Sequence, residues 1–261
     1  MKLFDSHCHI DDKVFNKDFD GVMDRADKVG VKLVMIVGIN KKSSQKAVMI
    51  AESVKGCYAS TGIHPHDAKK STDADLQFLI KLASSPNVRA WGETGLDFNR
   101  MHSSKQEQEN CFLKQLDIAV ELNLPLIFHE RDSNGRFLQI VKDTCLQKEI
   151  KGVVHCFSGS EDELKSYLDL GLYIGITGII TIKKRGKDLR KLAKIIPSDR
   201  LLIETDAPYL TPSPEKNRTR RNEPAFLKHT MLQLAETRKE NSEQLSETIW
   251  RNTCLFYDID I

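Results

Sequence analysis

Short apolar runs alternate with helix-period stretches from one end of the chain to the other. Residues 2–4 open a first strand. Phe15, Phe19, Val22, Met23, Ala26 and Val29 then share one helical face, stopped at Gly30. Residues 32–38 are a near-continuous apolar run of strand length, the pattern of a parallel sheet buried on both faces. The alternation repeats through a helix carrying Ala47, Ile50, Ala51 and Val54, a strand at 57–61, and a helix through Leu76, Leu79, Ile80 and Ala83. Strands at 88–93 and 126–129 flank a long helix through Phe112, Leu116, Ala119 and Leu122. A helix over 137–146 precedes a strand at 152–155, and Ser160 with Glu163 forms a capping box that opens the next helix. Strands at 172–175 and 201–204, with a helix over 189–196 between them, complete the series.

Eight strands with helices between them over about 250 residues predict an α/β fold, a (β/α)8 TIM barrel. An open doubly wound sheet also alternates, but it usually has fewer strands, and no glycine-rich phosphate fingerprint follows the first one. A helical tail begins at Pro224, and Leu245, Ile249, Leu255 and Phe256 predict a last helix packed on the barrel. No linker, repeat or low-complexity segment divides the 261 residues, so residues 1–261 are expected to form one domain.

Composition narrows the class only a little. The chain is 40% hydrophobic and 29% charged, the balance of a soluble globular protein with material for a core. A formal net charge of +2 means that any polyanionic partner must be held by local groups or by metal. No run of about 18 apolar residues spans a bilayer, and no secretory leader precedes the first strand. Six scattered cysteines without a CxxC pair read as reduced thiols. These features predict a cytoplasmic protein without a membrane partner, acting as a monomer.

The chemistry lies at the strand ends. Residues i and i+2 of a strand point the same way, so His7 and His9 aim two imidazoles at one place and turn Cys8 to the other face. Such a pair suits a divalent cation, and equally suits hydrogen bonds at a core edge. Recurrence separates the two. Glu93, His129 and His155 end the fourth, fifth and sixth strands, and Asp206 follows the eighth. The carboxyl ends of barrel strands share one rim, where active sites are built, and core histidines have no reason to gather there. Catalytic zinc commonly takes three protein ligands, so four histidines and two carboxylates predict two divalent cations with Glu93 as the shared carboxylate. Asp206 is expected to join His7 and His9 on one ion and to orient or deprotonate its water. His129 and His155 are expected to hold the other. Two ions about 4 Å apart suit phosphodiester hydrolysis, and the mixed nitrogen and oxygen set admits zinc, manganese, nickel or magnesium.

These residues fall in motifs that run the length of the chain. Residues 5–9 (DSHCH), 62–66 (GIHPH), 92–97 (GETGLD), 129–131 (HER), 155–159 (HCFSG), 204–210 (ETDAPYL) and 221–224 (RNEP) follow in order. In combination the chain resembles the TatD-type metal-dependent deoxyribonucleases of the metallo-dependent hydrolase superfamily. The resemblance implies a TIM barrel and a metal-dependent nuclease, often a 3′→5′ exonuclease on DNA. It also implies that His7, His9, Glu93, His129, His155 and Asp206 bind metal. Two departures, Phe98-Asn99 after Asp97 and Ala207 in place of serine, touch no expected ligand.

Around the ligands, His64 is expected to donate to a phosphate rather than bind metal, and His66 to stabilise its loop. Arg131 is expected to clamp a phosphate with its planar fork, or else to pair with Glu93 or Asp206. Asp97 is expected to hydrogen-bond a ligand histidine or to cap the next helix. Arg218, Arg220, Arg221 and residues 183–187 are either a nucleic-acid track or solvated charge. Phe98 and Tyr209 are expected mainly to pack loops, with base stacking as the alternative, and Cys156 is expected in the core. The function expected is a two-metal phosphodiesterase on DNA, with RNA as a further substrate. A metal-dependent amide or ester hydrolase on the same scaffold ranks lower, because strand 4 offers Glu93 and no lysine. A non-catalytic metal-stabilised binding protein ranks lower still.

Overall fold

Each apolar run predicted as a strand forms one in the computed structural model, which describes residues 1–260. The strands are β1 (Leu3–Cys8), β2 (Val31–Ile36), β3 (Cys57–Thr61), β4 (Val88–Asp97), β5 (Leu126–Arg131), β6 (Gly152–Val154), β7 (Tyr173–Ile176) and β8 (Leu201–Ile203). They lie in sequence order in one sheet, and β1 with β2, β3 through β6, and β7 with β8 pair in parallel. The fold class is the expected (β/α)8 barrel. Nine α-helices accompany the strands among the described residues: α1 (Phe19–Lys28), α2 (Lys41–Ser53), α3 (Asp73–Leu82), α4 (Lys105–Glu121), α5 (Arg136–Cys145), α6 (Glu161–Asp169), α7 (Lys187–Leu192), α8 (Leu227–Arg238) and α9 (Ser242–Phe256). The expected capping box opens α6, and Thr72 with Asp75 and Ser104 with Glu107 build the same device at α3 and α4.

The chain divides into two compact units. Met1–Ile36 and the chain from Ile174 make up the first. There α9 packs on β1 as the sequence predicts: the Phe4 ring lies 6.1 Å from Trp250 and 5.7 Å from Tyr257. Burying such an aromatic is worth about 1.5–3 kcal/mol. The buried Tyr257 hydroxyl finds a partner by donating to the Ser6 carbonyl at 2.8 Å. This clamp grips β1 one residue before His7.

Val37–Tyr173 make up the second unit. Phe112, Phe128 and Phe137 stack there with centroids 5.2–5.9 Å apart. Buried Gln115 accepts from Trp91 Nε1 and Ile63 N and donates to Ile63 O, fixing the loop after β3. A buried amide needs such partners on both its oxygen and its nitrogen.

Several expected boundaries shift: β2 stops at Ile36, β5 runs on to Arg131 and α7 stops at Leu192. The helix predicted over 15–29 is a short 3-10 turn, Lys13–Phe15, capped by Asp12, followed by α1 from Phe19. β4 does not end at Glu93 but continues to Asp97, every one of those last residues buried, because burial on both faces overrides the low strand propensity of Gly92 and Gly95. Among the described residues no helix is long and apolar enough to cross a membrane, and none of the six cysteines forms a disulfide.

Candidate metal centre

In the first unit, His7 at the end of β1 and His9 just beyond it meet as their spacing predicts. Their Nε2 atoms are 3.2 Å apart, with ring planes at 82°. Asp206 Oδ1 lies 3.7 Å from His7 Nε2 and 3.5 Å from His9 Nε2. Backbone bonds bring this carboxylate across 199 positions of sequence: Asp206 N donates to His7 O at 2.9 Å, and His9 N donates to Ala207 O at 2.7 Å. Asp206 takes a left-handed backbone, φ +55°, a conformation that aspartate tolerates better than most residues. Asp5 braces the turn. Its fully buried carboxyl accepts from Thr205 N at 2.8 Å and from Thr205 Oγ1 at 2.5 Å, and burial pushes its pKa up to about 8 against those bonds.

In the second unit, Glu93, His129 and His155 converge with His64. Glu93 Oε1 lies 2.6 Å from His129 Nδ1 and 2.8 Å from His155 Nε2, and those two nitrogens are 3.3 Å apart. His64 Nε2 is 3.2 Å from His129 Nδ1 and 3.4 Å from Glu93 Oε1. The residue before Glu93 must be glycine: Gly92 has φ +141°, and a Cβ there would stand 2.6 Å from Ile127 O. That close approach of β4 to β5 sets Glu93 against His129. Burial alone would raise the Glu93 carboxyl, but the surrounding imidazoles hold it well below the usual carboxylate range.

Both groups suit a cation. A tetrahedral ion with bonds of about 2.0–2.1 Å spaces its ligand atoms about 3.4 Å apart. The donor spacings are 3.2–3.7 Å in the first group and 2.6–3.4 Å in the second. Distance alone admits His64 as a ligand of the second group, and its hydrogen bonding separates it from the rest. His64 Nδ1 accepts from the backbone N–H of His66 at 3.0 Å. A neutral imidazole has one proton, so that proton sits on Nε2, the atom facing the group, and leaves no lone pair there for a metal. Burial, then the neighbouring His129, lowers the His64 pKa to about 4, which keeps the ring neutral at pH 7. In that tautomer Nε2 offers a proton and no lone pair to its surroundings.

Ser104 rather than Asp97 caps the next helix, while Asp97 stands at ion-pair distance from His129 and closes the turn after β4. Its Oδ2 takes His66 Nε2 at 2.7 Å and faces His129 Nε2 at 3.4 Å, an ion-pair distance rather than a formed hydrogen bond. Its Oδ1 accepts from Asn99 N and Arg100 N, closing the turn after β4. Burial would raise Asp97; the His129 and His66 imidazoles hold it below the ordinary value. His66 is thus part of the network around His129, more than a loop brace. Asp97 likewise helps to hold His129 above its usual pKa against burial.

The outer residues divide. Arg131 is exposed and makes no ion pair among the described residues. It lines a polar cleft of about 440 Å³ with Glu130, Asn134, Ser158 and Ser160. Arg221 is structural: its two terminal nitrogens bond Asp18 at 2.7 Å each, and the guanidinium lies over Phe15. Arg218 pairs with Glu215 at 3.3 Å, while Arg220, Lys183, Lys184, Arg185 and Lys187 are exposed. Lys105 covers the Phe98 ring at 4.7 Å. Tyr209 is 55% exposed. Cys156 is half-buried with φ +48° rather than a core residue. Asp5 and its Thr205 partner were invisible as a pair in the sequence, because 200 positions separate them.

The likeness to known proteins extends over nearly the whole chain. A sequence model of the family described as TatD-related DNase matches residues 4–258. The chain is 42% identical to the "3'-5' ssDNA/RNA exonuclease TatD" of Klebsiella pneumoniae over 261 residues, 99% of each chain. It is 40% identical to the protein of that name from Escherichia coli K12, over 98% of this chain and 99% of the other. Among solved structures, the TatD homologue YJJV of Escherichia coli superposes with a TM-score of 0.91 at 28% identity, covering 99% of this chain and 98% of that one.

Proposed function

Because the chain belongs to the family of TatD-related DNases, we propose that it trims single-stranded DNA and RNA from the 3′ end with two divalent cations. As a member of that family it is a hydrolase of phosphodiester bonds. One cation belongs to His7, His9 and Asp206, the other to Glu93, His129 and His155. The observation that carries the reading is that each triad, within its own unit, brings its donor atoms to ligand spacing. The relatives named as 3′–5′ exonucleases on single-stranded DNA and RNA support the substrate and the polarity.

Cations of this kind polarise the phosphodiester and supply an activated water when bound. The protein's own groups do the rest. Asp206, the least buried member of its triad with a side chain 13% exposed, orients the attacking water and accepts its proton. His64 donates its Nε2 proton as a hydrogen bond to a non-bridging phosphate oxygen. Arg131 offers the planar fork that fits two phosphate oxygens at once. Asp97 holds His129 with Nδ1 turned to its group. Six cysteines scattered without a CxxC pair support the cytoplasmic setting read from the sequence.

Digestion of 5′-labelled single-stranded DNA and RNA, with and without chelator, tests the reading. A ladder shortening from the 3′ end only when metal is present is the expected result. Internal cuts from the first time point, or no cleavage with any divalent metal, would overturn it.

A further inference from the structure

Tyr209 has an exposed ring on a backbone held by hydrogen bonds on both sides. Its amide donates to Asp206 O at 2.9 Å. Its carbonyl accepts from the Asn222 side chain at 2.6 Å, and the same Nδ2 donates to Thr205 O at 2.8 Å. Asn222 N closes the turn by donating to Pro208 O at 3.0 Å. Asn222 is fully buried, as is Ala207 two residues before the tyrosine. Ala207 and Asn222 pack this turn from within, and the tyrosine ring stays 55% exposed.

The ring stands beside the first triad. Its centroid is 6.1 Å from that of His9, at 67° between planes, and it is three residues from Asp206. The remaining aromatic that the sequence offers for base stacking, Phe98, has its face covered by Lys105.

We propose that Tyr209 is the stacking platform for the terminal base of the bound strand. The inference rests on the nuclease reading above and adds which part of the substrate the ring holds. The strand's last base lies on the tyrosine face, and its phosphodiester reaches the adjacent His7, His9 and Asp206 group. Every base has a π-face, so such a platform holds the strand end without reading its sequence, and it needs a base free of its partner strand. A tyrosine on a pinned turn loses little side-chain freedom on binding.

The test uses single-stranded oligonucleotides with a normal or an abasic 3′ terminus, titrated in chelator so that no cleavage occurs. Base stacking on an aromatic is lost on alanine substitution with roughly a ten- to hundredfold fall in affinity. Wild type is expected to bind the abasic end that much more weakly than the normal end. Tyr209→Ala should bind both ends alike, and Tyr209→Phe should discriminate as wild type does. A 2-aminopurine at the 3′ terminus should be quenched by wild type and Tyr209→Phe and not by Tyr209→Ala. If Tyr209→Ala still discriminates, or wild type never does, the platform is refuted while 3′-directed cleavage stands. If wild type neither binds an oligonucleotide nor cuts one with metal, the nuclease reading falls and takes the platform with it. A misfolded Tyr209→Ala would show in its melting curve, and then Tyr209→Leu, apolar without a π-face, carries the same comparison.

Discussion

Asp97→Asn separates the metal account from a purely structural one. The side chain is 1% exposed and faces two imidazoles through Oδ2, His66 Nε2 at 2.7 Å and His129 Nε2 at 3.4 Å. Through Oδ1 it holds Asn99 N at 3.0 Å and Arg100 N at 2.8 Å. Asparagine keeps the Oδ1 acceptor and hence the turn. It replaces Oδ2 with an amide donor, which repels a proton on His129 Nε2 and disfavours the tautomer that turns a lone pair on Nδ1 toward Glu93 and His155. Loss of such a partner behind a ligand histidine typically weakens metal binding about 10–100-fold, or about 1.4–2.8 kcal/mol. Calorimetric titration of zinc or manganese at pH 7.5 should show one binding step weakened by that factor and the other unchanged.

A second readout uses pH. The folded pKa of His129 is raised, so its contribution to metal-free stability is full below the unfolded value near 6.5 and is lost as pH rises through the folded value. Melting curves in chelator should separate Asp97→Asn from wild type more at pH 5.5 than at pH 9. Asp97→Ala also frees the two backbone N–H groups, and should lose a further 1–3 kcal/mol or so of stability. Metal affinity within twofold of wild type in Asp97→Asn would refute the reasoning.

Three further perturbations follow from the same contacts. His64→Gln should cut turnover while leaving the amount of bound metal unchanged by elemental analysis; loss of a metal equivalent would make His64 a ligand. Arg131→Ala should raise KM for oligonucleotides more than it weakens metal binding, and lower metal occupancy with unaltered KM would contradict the clamp. Asp18, lowered to about 2 chiefly by its bond from Arg221, contributes stability that is present above about pH 4 and lost as pH falls toward 2. Asp18→Asn should therefore melt below wild type at pH 7 and equal to it near pH 2. An equal gap at both pH values would show that the pair is not what fastens the loop after β8 to α1.

What the sequence revealed of this site depended on how local each signal is. His7 and His9 were legible as a pair because strand geometry alone fixes their common direction. The strands were legible because apolar runs mark buried parallel strands, and from their C-terminal parts and the residues just beyond, Glu93, His129 and His155 fell into one set. The end of β4 was hidden, since glycines at 92 and 95 read as a loop unless one sees β5 pressed against them. Tautomers lie beyond sequence altogether: the assignment of His64 as donor gains its physical basis only from the His66 amide that occupies Nδ1. Arg221, one of three arginines in a polar loop, gave no sign that Asp18 binds it from 203 positions away. Tyr209 shows the same limit in reverse, because a Pro-Tyr-Leu segment reads as packed until the tyrosine is seen to stand 55% exposed.

The account turns on two cation sites built from separate triads, and counting ions tests that directly. Metal content of purified protein, reloaded after chelation and measured by elemental analysis beside His9→Ala and His129→Ala, gives the count. Two equivalents in wild type, with each variant losing at least the ion of its own triad and 3′-directed cleavage with it, is the predicted result. Full metal content in both variants would contradict it.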